Sequence, residues 1–312
     1  MASQAQIERH YDTLGALHAL RMEDVQGNYP DYTCAFFDGD YSISYTEAQK
    51  RKHAWIFEGL GLGSDLKGKS ILDIGCGWGP MLNAARIRGG TGTGLTLSPG
   101  QVVQCTRNGL DVRLRDYKTL SKGELGVFDG VVSLGAFEHF CSVDEMLAGK
   151  QTQVYEEFFR ICAEHLPENG SLFLQTMTWG KTVPDYRKLS LTAPSDSPEA
   201  ILARMEYLYP GSWLPNGLEQ IVDCARKYFD FVSHNNGRLD YLQTLAGWDE
   251  ATPNLWKIRT LPRTVRRAVP IALKILTQQH ARIQFKSVRL GDQNTCFRRE
   301  IMSHERIFFK KK

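Results

Sequence analysis

The segment Asp73-Ile74-Gly75-Cys76-Gly77-Trp78-Gly79 restricts the possible folds of this chain more than any other stretch. It follows a short apolar run, Ser70 to Ile74, and precedes a helical stretch from about Pro80 to Arg88. An apolar run that short, stopping at glycine, reads as a strand buried on both faces, as in a parallel sheet. Glycines at alternate positions let the backbone pass close to a ligand, and a helix opening there offers N–H groups without intrahelical partners. The spacing is GxGxG, and Asp73 stands two residues before the first glycine. That pair suits a ligand bearing a free ammonium better than it suits a pyrophosphate. The alternative is a tight strand–helix turn that binds nothing, with Cys76 as a small packing residue.

Downstream of the loop the alternation continues. Strands are predicted over 90–97, 111–115, 130–134 and 171–176, with helices over 99–108 and 154–166. Repeated strand–helix–strand units imply an α/β fold with helices on both faces of a mostly parallel sheet. Residues 180–216 carry five prolines and read as a long excursion over the sheet edge. Further helices are predicted over 46–60 with Thr46 as N-cap, over 217–228, and over 239–258 and 263–286 with Pro262 breaking between the last two. Strands over 230–233 and 301–310 bring the total to seven.

Composition narrows the class. The 312 residues are 42% hydrophobic and 23% charged, which fits a folded globular chain and excludes general disorder. No apolar run approaches the roughly 18 residues a spanning helix needs. The first residues show no basic patch followed by an apolar run, so no secretory signal is expected. Seven cysteines, an odd number with no CxxC pair, argue against a disulfide framework or a structural zinc site. No metal is expected, and a cytoplasmic location fits. The net charge of +3 is uneven: residues 257–312 hold 15 Lys or Arg against 3 acids. Such a region reads as a contact for anionic membrane or as a solvated helix face balancing an acidic body. Nucleic-acid binding is not expected, because no basic–aromatic interleaving is present.

Three strand ends carry candidate chemistry. Thr96, Leu97 and Gln101 close the second strand, and with no acid there Thr96 and Gln101 are the candidates for a ribose. Asp116 closes the third, placed to accept from an adenine amino group with Tyr117 against the ring. Glu138 and His139 close the fourth, where a carboxylate can stabilise a sulfonium or a developing carbocation. For each position an ordinary cap, packing contact or loop ion pair is the competing reading.

In order, Ile71 to Gly79, Leu95 to Gln101 and Phe137 to Phe140 resemble the cyclopropane fatty acid synthase and mycolic acid cyclopropane synthase family. Also similar to it are His10-Tyr11-Asp12, Tyr32 to Phe37, Glu47-Ala48-Gln49 with Lys52, Tyr209-Pro210-Gly211, and Asp240-Tyr241 with Thr244 and Trp248. The resemblance covers roughly residues 10–250. It implies a class I methyltransferase, a Rossmann-like fold whose cofactor is S-adenosylmethionine. The expected organisation is one domain: a helical cap over 1–66, a cofactor-binding core over 67–178, lid and acceptor-binding helices over 179–300 and a final strand over 301–312.

By position, the resemblance implies that Tyr32, Thr33, Gly75, Gly77, Thr96, Gln101, Tyr117 and Leu134 line the cofactor site, beside Asp73, Leu97 and Asp116 from the reading above. It also implies bicarbonate as a proton acceptor, with ligands matching Cys34, Glu138 and Tyr241. Gln175 stands where the family frequently has His, and Met177 where it has Ile. Each still offers an N–H, and the fate of the bicarbonate stays open. About a dozen extra residues between Phe140 and Val154 are expected to reshape the acceptor mouth. The implied reaction is methyl transfer to an alkene carbon of a lipid or isoprenoid-like acceptor, ending in a cyclopropane or a methylated alkene. Tyr11, Tyr32, Phe137, Tyr209, Trp213 and Tyr241 are candidate aromatic walls. The alternative is N- or O-methylation of a small natural product, with Glu138 or His139 as general base.

Overall fold

The computed structural model describes residues 28–250 and 261–312. Seven strands form one sheet: β1 (Ser70–Ile74), β2 (Thr91–Thr96), β3 (Asp111–Leu114), β4 (Gly130–Leu134), β5 (Ser171–Trp179), β6 (Phe229–Asn236) and β7 (Met302–Lys311). Their order is β3-β2-β1-β4-β5-β7-β6. The first five pair in parallel, and β7 runs antiparallel to both β5 and β6. This is the class I methyltransferase arrangement expected from the sequence. β5 and β6 are longer than predicted, because each pairs along β7 beyond its apolar portion.

The helices are α1 (Tyr45–Gly59), α2 (Pro80–Arg86), α3 (Pro99–Arg107), α4 (Val143–Leu147), α5 (Gln151–Glu164), α6 (Pro198–Leu208), α7 (Gly217–Ala225), α8 (Arg238–Glu250), α9 (Leu261–Thr277), α10 (Gln279–Leu290) and α11 (Asp292–Arg298). Alternation along the strands feeds two cores. Leu72, Val131, Leu172 and Leu174 pack with Phe158 and Phe159 of α5 and Ile221 of α7. Ile71, Val132 and Phe173 pack on the other face with Ile56 and Phe57 of α1 and Met81 and Leu82 of α2. Strands buried on both faces explain the unbroken apolar runs.

Several boundaries differ from expectation for identifiable reasons. Ser44 caps α1 by accepting from the Glu47 N–H, so Thr46 lies inside the helix. α5 starts at Gln151, three residues early, and Ser142 and Glu145 form a reciprocal capping box that opens α4 in the extra segment. The excursion over 180–216 contains α6, started by the Ser197 cap and Pro198. The helix expected from 263 starts at Leu261 as α9, with Pro262 in its first turn, where its missing N–H costs nothing, and the break expected before it falls outside the described residues. The stretch expected as one helix divides at Gln278, which is extended, into α9 and α10. Helix 239–258 is seen as α8 to Glu250. Residues 251–258, and the His10-Tyr11-Asp12 motif, lie outside the described residues. All seven cysteines are free and buried, and no described helix is long and apolar enough to cross a membrane.

α6 and α11 are joined by a buried pair. Arg204 of α6 donates through Nε and Nη2 to both oxygens of Asp292 on α11, each at 2.7 Å. Removing one partner strands the other charge in the interior, at a typical cost of about 3–5 kcal/mol. Asp292→Ala is therefore expected to lower stability by about that amount in urea denaturation, whereas Arg187→Ala, in an exposed pair with Asp185, shifts it by less than about 0.5 kcal/mol.

Candidate active site at the carboxyl edge of the sheet

β1 lies between β2 and β4, so the winding of the chain reverses at its end. An open α/β sheet leaves a crevice at that point, outside the carboxyl ends of its strands. The glycine loop lines it. Gly75 has φ 85°, and a Cβ there would lie 2.2 Å from the Cβ of Ala136, so the loop closes against the turn after β4. Gly77 has φ 56° with nothing near its missing Cβ, so backbone is bared to the cleft. Cys76 packs beneath, where a side chain on Gly94 would meet its sulfur at 2.6 Å.

The cleft has two lobes that share Gly75, Gly77, Gln101, Gly135 and His139. The first is lined by Tyr32, Thr33, Asp73 and Leu134, and the second by Thr96, Leu97, Asp116 and Tyr117. The structure thus brings together all the residues expected around the cofactor. Their local bonds differ in kind. The Thr96 hydroxyl donates to Gln101 Oε1 at 2.5 Å and accepts from the Ser98 N–H, so Thr96 acts as a strut for Gln101. Asp116 Oδ1 caps the following turn by accepting from the Lys118 N–H. The Tyr117 ring packs on Phe140 and Phe158.

Asp73 is buried, and burial pushes its carboxyl up to about 8, with Asp31 adding to the effect and Lys52 opposing it. Among the described residues no Lys or Arg pairs with it. Below the cleft lies a cluster the sequence reading missed. Asp31 meets Lys52 Nζ at 2.8 Å and His53 Nε2 at 2.9 Å, and its other oxygen accepts from the Thr33 N–H and hydroxyl. Burial opposes ionisation of Asp31, but Lys52 and His53 outweigh it and hold the carboxyl well below its usual range. Lys52 also donates to the Thr33 hydroxyl at 2.6 Å, which fixes Thr33 at the cleft wall. The polar residues of α1 at the 48–52 spacing carried the only signal for this.

Cys34, Glu138, His139, Gln175 and Tyr241 all line the first lobe. Glu138 sits in the short turn after β4, and its Oε1 accepts from the Met177 N–H at 2.9 Å. The carboxylate thus continues the β4–β5 ladder past the end of β4. Its Oε2 is buried without a partner, and burial pushes the carboxyl up to about 7 against the pull of the Met177 N–H. Adjacent His139 turns elsewhere, with Nδ1 2.9 Å from Ser212 Oγ. Gln175 Nε2 donates to the Cys34 carbonyl at 3.3 Å, leaving Oε1 unpartnered. Burial raises the Cys34 thiol to about 11 despite Arg306, which donates to its sulfur at 3.2 Å. Such a thiol is no nucleophile. The Tyr241 ring stacks on Phe297, and its hydroxyl accepts from Gln293 Nε2 at 3.3 Å.

Three further groups here escaped sequence reasoning: Gln293, Arg306 and His304. β7 places His304 opposite Met177 and Arg306 opposite Gln175. The His304 ring meets Tyr241 edge-on, and burial keeps the imidazole neutral. Arg306 is buried and donates to Asp240, Asn235 and the Ala35 carbonyl. His304 and Arg306 lie in a strand that reads as structural and Gln293 on the short helix α11, all far along the chain from the cleft motifs, so spacing gave no signal.

Glu138 and Met177 also line a neighbouring chamber with Trp179, Leu202, Met205, Tyr209, Trp213 and Leu214. The extra segment shapes its mouth: the Val143 N–H donates to the Gly211 carbonyl and the Trp213 N–H to the Cys141 carbonyl. Of the expected aromatic walls, Tyr32, Tyr209, Trp213 and Tyr241 line the cleft or chamber. Phe137 does not. It is fully buried among Phe140, Tyr155, Phe158 and Phe159, because the turn after β4 directs alternate side chains to the core. Tyr11 lies outside the described residues.

A family model for mycolic acid cyclopropane synthetase matches residues 1–262. The chain belongs to that family. It is an S-adenosylmethionine-dependent methyltransferase. It is 29% identical to cyclopropane mycolic acid synthase 2 of Mycobacterium leprae over 260 residues, 78% of each chain. The cyclopropane synthase MmaA2 from Mycobacterium tuberculosis superposes with a TM-score of 0.72 at 22% identity, covering 99% of this chain and 98% of that one. The mycolic acid cyclopropane synthase CmaA1, solved with SAH and CTAB, gives the same score, identity and coverage.

The two raised carboxyls have a thermodynamic signature. The folded protein holds their protons at pH values where the unfolded chain has released them, so stability falls as pH rises from about 4 to about 8. In ligand-free protein, Glu138→Gln and Asp73→Asn are expected to raise stability at pH 8 by amounts on the order of 3 and 5 kcal/mol, the larger for Asp73 because its shift is larger, and to change it little at pH 4, read by urea denaturation at the two pH values.

Proposed function

We propose that this enzyme transfers a methyl group to an alkene carbon of a lipid or isoprenoid-like acceptor. The observation that carries this is Glu138: one oxygen fixed by a backbone N–H, the other free, at the wall shared by the cleft and an apolar, aromatic chamber. When bound, S-adenosylmethionine supplies an electrophilic methyl group. The site suits it: the dehydrated carboxylate of Asp73 matches its ammonium, the bare backbone at Gly77 allows close approach, and the second lobe suits the adenosine, with Gln101 and Asp116 offering polar contacts.

An alkene that gains the methyl becomes a carbocation: the new C–C bond is drawn from its π pair, while the S–CH3 bond breaks with its pair left on sulfur, which would depart as a neutral thioether. A carboxylate facing that centre stabilises it, and the aromatic walls exclude water that would quench it. Glu138 then takes the proton. Loss from the new methyl closes a cyclopropane, and loss from a neighbouring carbon leaves a methylated alkene. A carboxyl titrating near 7 is ionised in about half the molecules at neutral pH, well suited to accepting a proton. Bicarbonate fits poorly, because the Met177 N–H is taken by Glu138 and the Gln175 amide by the Cys34 carbonyl. In this reading Glu138 acts without an auxiliary anion, Tyr241 and His304 shape the acceptor end, and the helices within 179–300 form the acceptor lid. The apolar chamber favours an alkene over an amine or hydroxyl acceptor.

Incubation with methyl-labelled S-adenosylmethionine and extracted lipids is expected to place label in a lipid alkyl chain. Activity should rise through about pH 7 and be indifferent to added bicarbonate, and Glu138→Gln should lower turnover by about 100-fold or more. Label on an amine or hydroxyl, or on nothing, overturns the reading. Asp73→Asn is expected to weaken S-adenosylmethionine binding in calorimetry by about tenfold or more.

A further inference from the structure

The hairpin of α9 and α10 carries a surface that the methyl-transfer site does not use. Along α9, Val265, Val269, Leu273 and Leu276 recur at helical spacing, and they are 50%, 52%, 56% and 71% exposed. Four outward apolar residues in one row differ from the singly scattered apolar residues of an ordinary surface. On α10, Arg282, Phe285, Lys286 and Arg289 point outward on one face. Its opposite face is buried, and Gln284 donates to the Tyr207 carbonyl of α6 at 2.7 Å. Residues 257–291 contain nine Lys or Arg and no acid.

An amphipathic helical surface with an apolar stripe and charged residues that are all basic is suited to lie in the plane of an anionic membrane surface. Its location supports that occupant. α6 lines the apolar chamber through Leu202 and Met205, and Val288 of α10 lines the reaction cleft. The outward face is therefore one helix away from the space where the acceptor is proposed to bind. An acidic protein would satisfy the cations but would leave the valine and leucine stripe in water. An anionic bilayer satisfies both.

We propose that the outer face of the α9–α10 hairpin docks on an anionic lipid bilayer, seating Leu273 and Leu276 among the acyl chains and the α10 cations among the headgroup phosphates. The relevance of this surface rests on the lipid reading above, but the test reads no methyl transfer. The two ideas therefore fail separately.

The full chain is mixed with phosphatidylcholine vesicles containing about 30% phosphatidylglycerol, or none, and sedimented. The expected result is partitioning into the anionic vesicles, at least about tenfold weaker partitioning into the neutral ones, and release at high salt. Leu273→Glu with Leu276→Glu should reduce partitioning by at least about tenfold while leaving S-adenosylhomocysteine affinity unchanged, which certifies the fold. Partitioning that is absent, or equal in the double variant, overturns the proposal. So does failure to bind vesicles together with variant-sensitive binding to an acidic acyl carrier protein or to a second copy of the chain.

Discussion

The hydrogen bond from the Met177 N–H to Glu138 fixes the wall between the cleft and its neighbouring chamber. β5 outruns β4, so its next backbone donor finds no strand to pair with. The turn after β4 fills the vacant rung with a side-chain carboxylate. A buried donor without a partner would cost about 1–3 kcal/mol, so the sheet itself favours Glu138 in that place. The carboxylate then pays with its own solvation, because its second oxygen has no donor. Fold stability and chemical reactivity are balanced in one group.

The same tension runs through the rest of the cleft. Asp73 is dehydrated with no Lys or Arg paired to it among the described residues, whereas Asp31, also buried, is fully compensated by Lys52 and His53. The contrast separates a carboxylate that serves the framework from one that stands ready for a ligand. The compensated carboxylate holds Thr33 in position, whereas the uncompensated one keeps its proton up to about pH 8. Placing the two side by side gives the cleft a rigid floor and a reactive wall. The chemistry follows from burial, without unusual residue types.

Much of this was legible in the sequence. Apolar runs ending at glycine marked the strands, and the acid before GxGxG marked a buried wall of the cleft, because both depend on local chain order. Every strand was found, and the residues expected around the cofactor converge. Legibility ended where contacts are remote. Nothing near His304 or Arg306 announces a site, since their partners lie on β5 and in the 34–35 segment. Phe137 was misjudged because a turn, not a repeat, decides its direction. α6 was hidden in a proline-rich stretch, although Ser197-Pro198 is itself a helix start.

The bond from Arg306 to Cys34 joins residues 272 positions apart. Arg306 sits fully buried on the last strand, and its guanidinium also ties Asp240 and the Ala35 carbonyl beneath the cleft. During translation the 34–35 segment emerges long before the residue that will anchor it. The lining around Cys34 thus rests on contacts of high sequence separation, the class whose loop-closure entropy must be met before the contact stabilises anything, so this part of the cleft is costlier to assemble than the locally wound strands beside it.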